Sequence, residues 1–190
     1  MEPCNIFDCE WHEYHPGVIM GNKVYVLNKE NHPVDISTLL WGPWKEREQP
    51  LMSFHTGENE FGSEESRLQW GFVNALTGEI IVPPIYDYVS CFCNVLFAKV
   101  SLNQKEGFID KSGEVIGGIV WDRVHSFLDT SAICAVSRGA LWGYIGRDGK
   151  VALEPQFEEV GKWQKVFGQD SDEDVSEEER LRQVLAWVKR

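Results

Sequence analysis

The sequence has no run of about 18 apolar residues, so it offers no membrane-spanning helix. Its start, Met1-Glu2-Pro3-Cys4-Asn5, lacks the basic region and apolar stretch of a secretory leader. Positive charge is scarce: 18 Lys and Arg stand against 30 Asp and Glu, a formal net charge of -12 over 190 residues. Such a surface repels nucleic acid and anionic membranes as direct partners and permits a basic protein partner, with plain solubility as the alternative use of the charge. No Gly-Lys-Ser/Thr phosphate loop, dinucleotide fingerprint, His-Glu-x-x-His or EF-hand loop is present. The five cysteines cannot all pair, and with no leader the expected setting is a reduced cytoplasm.

What is present is a block of about 36 residues written nearly three times. The copies open at Gly71-Phe72-Val73, Gly107-Phe108-Ile109 and Gly143-Tyr144-Ile145, and each then turns through a glycine, at Gly78, Gly113 and Gly149. A short apolar run follows, then an aromatic-acid pair, at Tyr86-Asp87, Trp121-Asp122 and Phe157-Glu158. Val89, Val124 and Val160 come next, then Phe92, Phe127 and Trp163. One such unit cannot bury its apolar face alone, so neighbouring units must stack into a continuous core.

Trp70-Gly71 and Trp142-Gly143, the turn glycine and the aromatic-acid-x-Val ending resemble the bacterial WG-repeat (KWG-like) family over residues 66–165. The middle copy departs from it, with Glu106 in place of tryptophan and no counterpart of Pro83-Pro84 or Pro155. The resemblance implies a β-rich repeat scaffold and, usually, no catalysis.

Each copy reads as a β-hairpin. The opening residues alternate as a strand does, and turns such as Asp110-Lys111-Ser112-Gly113 and Arg147-Asp148-Gly149-Lys150 have the polar and glycine residues of a reversal. Returning strands at 80–82, 114–116 and 151–153 lead to the aromatic-acid loop, and third strands are expected at 95–100 and 131–136. The recurring aromatics are expected to form the core between repeats. The recurring acids are expected to accept backbone N–H groups in turns, with a row of ligands as the alternative. The opening glycines let a strand approach its neighbour closely, so a side chain at Gly143 should disturb packing.

Residues 1–65 are less regular. Lys23-Val24-Tyr25-Val26-Leu27 and the following Asn28-Lys29-Glu30-Asn31 resemble the opening strand and turn of a degenerate first repeat. Trp41-Gly42-Pro43-Trp44 reads as a rigid turn, and residues 57–66 as an exposed loop leading to the repeats at 66–165. At the other end, 166–175 reads as an acidic linker and 176–190 as a helix. Ser176 and Glu179 have capping-box spacing, and Leu181, Val184, Leu185 and Val188 fall on one face. A helix this short must dock, either over the open end or edge of the last repeat or on a partner. The expected fold is therefore all-β, tandem antiparallel hairpin repeats in an open or partial propeller-like array with a C-terminal capping helix.

For chemistry, Cys4, Cys9, His12 and His15 are zinc-type ligands at unusual spacing, and the alternative is a loose N-terminal segment. Cys91 and Cys93 read as a buried pair. Cys134, His125 and Asp122 could be assembled into a nucleophilic triad, but no local signature frames them. No cofactor or metal is assigned, and the protein is not read as an enzyme. The aromatics outside the periodic core, Trp11, Tyr14, Trp41, Trp44, Phe54 and Phe61, lie in the most acidic part of the chain: residues 1–69 hold twelve acids against five bases. They either form a local core or anchor a partner. Trp41, Trp44, Glu58, Glu60, Glu64 and Glu65 are the candidate partner-binding residues. The function expected is a non-enzymatic protein-binding module, in its sharpest form an acidic immunity-type inhibitor that masks a basic bacterial toxin. The alternative is a metal-dependent accessory protein or enzyme using the N-terminal Cys/His cluster.

Overall fold

The computed structural model describes residues 1–8, 13–40, 50–57, 68–92, 96–127 and 132–160. Fifteen strands fall within them: β1 (Glu2–Asp8), β2 (Glu13–Met20), β3 (Lys23–Leu27), β4 (Pro33–Asp35), β5 (Leu51–Thr56), β6 (Gln69–Asn74), β7 (Ile80–Tyr86), β8 (Tyr88–Val89), β9 (Phe97–Leu102), β10 (Lys105–Asp110), β11 (Val115–Trp121), β12 (Arg123–Val124), β13 (Ile133–Arg138), β14 (Leu141–Gly146) and β15 (Val151–Phe157). A short 3-10 helix, Ile36–Leu39, follows β4. The strands form three antiparallel sheets, ordered β4-β3-β2-β1-β5-β6-β7, β11-β10-β9-β8 and β12-β13-β14-β15. The fold is all-β and built of hairpin repeats, as the sequence predicts.

The repeat in the sequence and the sheet in space are out of phase. The aromatic of the aromatic-acid pair, expected in a loop, ends the returning strand at Tyr86 of β7 and Trp121 of β11. The valine two residues beyond the acid then pairs with the next repeat: Val89 lies opposite Val100 and Val124 opposite Val136. Each repeat thus hands its last short strand to the following sheet, which ties successive units together by backbone hydrogen bonds as well as by packing. The third strands begin two residues later than expected, at Phe97 and Ile133, and keep the spacing.

The opening glycine of each copy sits at a register shift between the opening and returning strands. A Cβ at Gly107 would lie 2.7 Å from Gly118 O and 2.9 Å from Ile119 Cα. At Gly71 it would meet Val82 O and Pro83, and at Gly143 Leu153 O and Pro155. Only a residue without a side chain lets the two backbones come this close at the bulge. The turn glycines Gly78, Gly113 and Gly149 have φ of 73°, 89° and 74°, and each turn rests on the preceding unit: Gly78 on Val24, Gly113 on Val82 and Gly149 on Gly117.

Alternate residues along each strand face opposite cores, and the alternation is repeated three times. Met52 and Val73 join the first core, with Cys4, Ile6, Val24, Val26, Ile36 and Phe54. Leu51 and Phe72, one position away on the other face, meet Ala98, Val100 and Ile109 of the second sheet. Phe108 of that sheet, with partly buried Phe97, meets Cys134, Val136 and Ile145 of the third. Ile133, Ala135 and Tyr144 lie on the far face of the third sheet. The recurring aromatics are thus core: Phe72 packs on Phe92 with ring centroids 4.8 Å apart, and Phe108 on Phe127 at 4.8 Å.

The N-terminal region differs most from expectation. Residues 2–8 and 13–20 are strands rather than a loose segment, because β1 is hydrogen-bonded on both sides, to β2 and to β5. Its alternation of buried Cys4 and Ile6 with more exposed neighbours is too short to stand out in sequence. Since β5 in turn pairs with β6, one sheet crosses from the N-terminal region into the first repeat. The expected strand at 23–27 and its turn are present, with Asn28 Oδ1 accepting from the N–H groups of Glu30 and His32. Its place is that of a returning strand, however, since it receives the Gly78 turn as β7 receives Gly113. The Val24 N–H donates to Gly78 O at 2.8 Å and the Ile80 N–H to Asn22 O at 3.0 Å, so the seven-stranded sheet curls back on itself. The linker at 166–175 and the helix expected at 176–190 lie outside the described residues.

Candidate partner-binding surface

Trp41, Trp44, Glu58, Glu60, Glu64 and Glu65 all lie outside the described residues; only their anchors are seen. The segment with the two tryptophans enters β5 at Pro50-Leu51, and the acidic segment leaves it after Thr56. The two anchors stand at opposite ends of a six-residue strand, about 17 Å apart at the usual rise.

What the described strands assemble is an aromatic cluster on the face of the first sheet that the second sheet only partly covers. Register places Phe7 opposite Tyr14 and opposite Ser53, and His55 opposite Trp70, on four adjacent strands. Ring centroids lie 4.9 Å apart for Phe7 and Tyr14, 5.9 Å for Tyr14 and His55, 6.5 Å for Tyr14 and Trp70, and 4.6 Å for His55 and Trp70. Tyr14 is 57% exposed, whereas His55 is buried and its Nδ1 has no hydrogen-bond partner among the described residues. Burial holds the His55 pKa below its ordinary value, partly offset by the Thr56 backbone. The imidazole is therefore neutral at pH 7. The cluster packs a neutral imidazole between an indole and a mostly exposed phenol.

Of these six aromatics, Tyr14 is exposed and Phe54 is fully buried in the first core. Trp11, Trp41, Trp44 and Phe61 fall outside the described residues. His55 was not legible as part of a site, since one histidine in Leu51-Met52-Ser53-Phe54-His55-Thr56 reads as an interior strand position. Its signal is the partner across the strand, which sequence does not print.

The recurring acids are structural in the two copies followed by another sheet. Asp87 Oδ2 accepts the Asn103 N–H at 2.7 Å, in the two-residue turn between β9 and β10 whose φ values, 52° and 62°, are both positive. Asp122 Oδ2 accepts the Gly139 N–H at 2.5 Å in the equivalent turn between β13 and β14, and its Oδ1 takes the Lys105 ammonium at 2.6 Å. Lys105 and then the Gly139 N–H hold the Asp122 carboxyl below the usual carboxylate range. Each acid caps the hairpin of the repeat after its own. In the middle copy Glu106 replaces the indole with a different device: Oε2 accepts the Val124 N–H at 2.7 Å and Oε1 lies 3.3 Å from Lys99 Nζ. The copies that keep tryptophan pack it against a histidine, Trp70 tilted against His55 and Trp142 edge-on to His125 with centroids 4.8 Å apart.

The triad of Cys134, His125 and Asp122 does not assemble. The Cys134 thiol is buried, donates to the His125 carbonyl at 3.0 Å, and is pushed up to about 12 by that burial. The His125 ring is against Trp142, and Asp122 is engaged as described. Cys4 likewise points into the first core, with its thiol pushed up to about 12 by burial and then by Glu2. A metal-binding thiolate would have to leave that core, while His15 sits opposite Ile6 on β2 and Cys9 and His12 lie outside the described residues. Among the described residues no three His, Cys, Asp or Glu side chains converge as metal ligands, and no helix is long and apolar enough to cross a membrane. Cys91 is half-buried, and its expected companion Cys93 is not among the described residues.

Stacked antiparallel sheets that exchange a strand at every step define a tandem β-repeat protein. The sequence model of the family described as WG containing repeat matches residues 70–105 and 142–165, so these two stretches are WG-containing repeats. Between the two matches, β10 and β11 pair in the same way around Gly107 and Glu106. Neither a curated protein nor a solved structure matches the chain.

Proposed function

We propose that this repeat protein is a cytoplasmic, non-enzymatic protein-binding module and, in its sharpest form, an acidic immunity-type inhibitor that binds and masks a basic bacterial toxin such as a nuclease. The observation that carries the reading is the cluster of Phe7, Tyr14, His55 and Trp70. Phe72, Phe92, Phe108 and Phe127 of the repeats are buried between sheets, whereas Tyr14 of this group is mostly exposed. It belongs to the part of the chain with the largest excess of acid. Long-range attraction from a net charge of -12 speeds encounter with a basic partner, and aromatic anchors then hold it. The absence of catalysis belongs to the same proposal and is supported by the burial of Cys4 and Cys134. The acidic residues Glu58, Glu60, Glu64 and Glu65 serve in it as the steering charge.

The test is a tagged pull-down from the native cell, washed at low and then high salt, followed by kinetics with the captured protein. The expected result is one stoichiometric basic protein whose association slows steeply with salt while dissociation changes less. Tyr14→Ala should weaken binding about tenfold or more, the size expected of an aromatic anchor, with a fall of only a few degrees in melting temperature because Tyr14 is mostly exposed and loses only its ring contacts. Salt-independent association, or full affinity in Tyr14→Ala, would overturn the reading.

A further inference from the structure

Three rings of the first sheet meet around a polar atom that the fold leaves unpaired. The centroids of Tyr14, His55 and Trp70, from β2, β5 and β6, form a triangle with sides of 5.9, 4.6 and 6.5 Å. Tyr14 is mostly exposed, Trp70 is half-buried and His55 is only 7% exposed. Among the described residues nothing bonds to His55 Nδ1. A buried nitrogen in that state forfeits the hydrogen bond that water gives it in the unfolded chain, and folded proteins leave few such atoms without a use. Burial also holds the imidazole neutral, so the ring keeps a lone pair with which to accept a hydrogen bond.

We infer that Tyr14, His55 and Trp70 take an arginine side chain, whose guanidinium lies on the phenol and indole and donates one N–H to His55 Nδ1. The inference rests on the basic partner proposed above and names the group by which that partner is held. Each feature of the site selects this chemistry. The electron-rich ring faces attract a cation, as does a net charge of -12, with twelve acids against five bases in residues 1–69. An anion is repelled by both. An apolar side chain would leave Nδ1 unpaired, at the cost of a buried polar atom. Between the two cations, an ammonium is compact and strongly hydrated, whereas a guanidinium is planar and weakly hydrated, so it can cover a ring face and still donate from its edge. Since arginine only donates, His55 must carry its own proton on Nε2 and accept at Nδ1. The chain already makes the same pairing within itself: the Arg138 guanidinium lies over the Trp121 ring at 5.0 Å. Lys99 lies farther from the Tyr88 ring, at 5.5 Å, and gives its ammonium to Glu106. Tyr14 is the ring that turns aside to admit the guanidinium, being exposed and making the two longer sides of the triangle.

The test titrates the full chain, isotope-labelled in histidine and tyrosine, with a short capped peptide that holds one arginine, and with the same peptide holding lysine or citrulline instead. The arginine peptide should give saturable shifts of the Tyr14 ring and bring the His55 nitrogens to the values of an Nε2–H tautomer with a hydrogen-bonded Nδ1. The lysine and citrulline peptides should bind about tenfold or more weaker, the size expected of losing a hydrogen bond from a charged donor. His55→Phe keeps a ring and removes the acceptor, so it should reduce the arginine peptide to the level of lysine; the titration of the wild type decides by itself if that variant does not fold. Equal binding of citrulline, an arginine complex in which the His55 nitrogens do not move, or undiminished binding to folded His55→Phe would each overturn the inference. A basic partner captured through Tyr14 whose arginines can all become lysine without loss would overturn it too, while leaving the proposed function in place. Selective arginine binding with no basic protein captured from the cell would uphold the site and count against that function.

Discussion

Gly143→Val tests the architecture at its narrowest point. A Cβ at Gly143 would fall within contact distance of Leu153 O, 2.7 Å from Pro155 N and 2.8 Å from Glu154 C, where ordinary contacts begin at about 3.5 Å. All three are backbone atoms of β15, so no rotamer change relieves the overlap and the strand itself must move off by about 1 Å. Overpacking of this kind costs about 1–3 kcal/mol, and each β14–β15 hydrogen bond weakened around the bulge adds about 1 kcal/mol. A total of about 3 kcal/mol corresponds to a fall of about 6–12 °C in Tm for a chain of this length. Thermal unfolding followed by circular dichroism or calorimetry reads it directly. Gly21→Ala is the control: φ is 64° there but a Cβ meets nothing within 4 Å, so only about 1 kcal/mol of backbone strain applies. If Gly143→Val melts no lower than Gly21→Ala, the close approach of the two strands is not what the glycine is for.

Further outcomes follow from the same contacts. Glu106→Ala leaves the part-buried Val124 N–H and the Lys99 ammonium without their acceptor, and should cost about 1–2 kcal/mol in a melt or urea titration; Lys99→Ala, which keeps the Val124 bond, should cost less. Asp35, Asp110, Asp122 and Asp148 are all held below the usual carboxylate range. The Ser37 N–H is the main cause at Asp35 and the Lys150 ammonium at Asp148; at Asp110, burial pushes the other way but is outweighed by hydrogen bonds from Ser112, Glu114 and Gly113. Depressed folded values give stability that is complete above the unfolded pKa of about 3.9 and lost as pH falls through the folded values. Tm should therefore be level near neutrality and fall below about pH 4, and Asp110→Ala with Asp122→Ala should flatten that acid limb; an unchanged slope would count against these hydrogen bonds. Cys4 and Cys134, buried with thiols near 12, should escape alkylation at pH 8 in the native protein and react after unfolding, as peptide mass mapping would show.

Much of the fold was legible because it is local and periodic. The three Gly-aromatic-aliphatic openings, the turn glycines and the alternation that splits Phe72 from Val73 are properties of short stretches, and a strand has few ways to satisfy them. The capping role of Asp87 and Asp122 was legible as a type of contact, since an acid after an aromatic in a turn region has few other uses; that each caps the next repeat's hairpin was not. The strands β1 and β2 were missed because Pro3 and Pro16 interrupt the usual signals, β1 is held by β5, more than forty positions away, and β2 is held only through its pairing with β1 and β3.

The amino-acid order by itself determined the period, the strand and turn positions within it, the need for glycine at 71, 107 and 143, and the acidic balance, because each depends on neighbouring residues or on simple sums. Only the tertiary structure decided that each repeat's last short strand joins the following sheet, that Glu106 replaces an indole by holding Val124 and Lys99, and that Tyr14 and His55 meet Trp70. Those contacts join residues distant in the chain, and which distant residues meet is fixed by strand register and sheet order, quantities that a one-dimensional pattern leaves free.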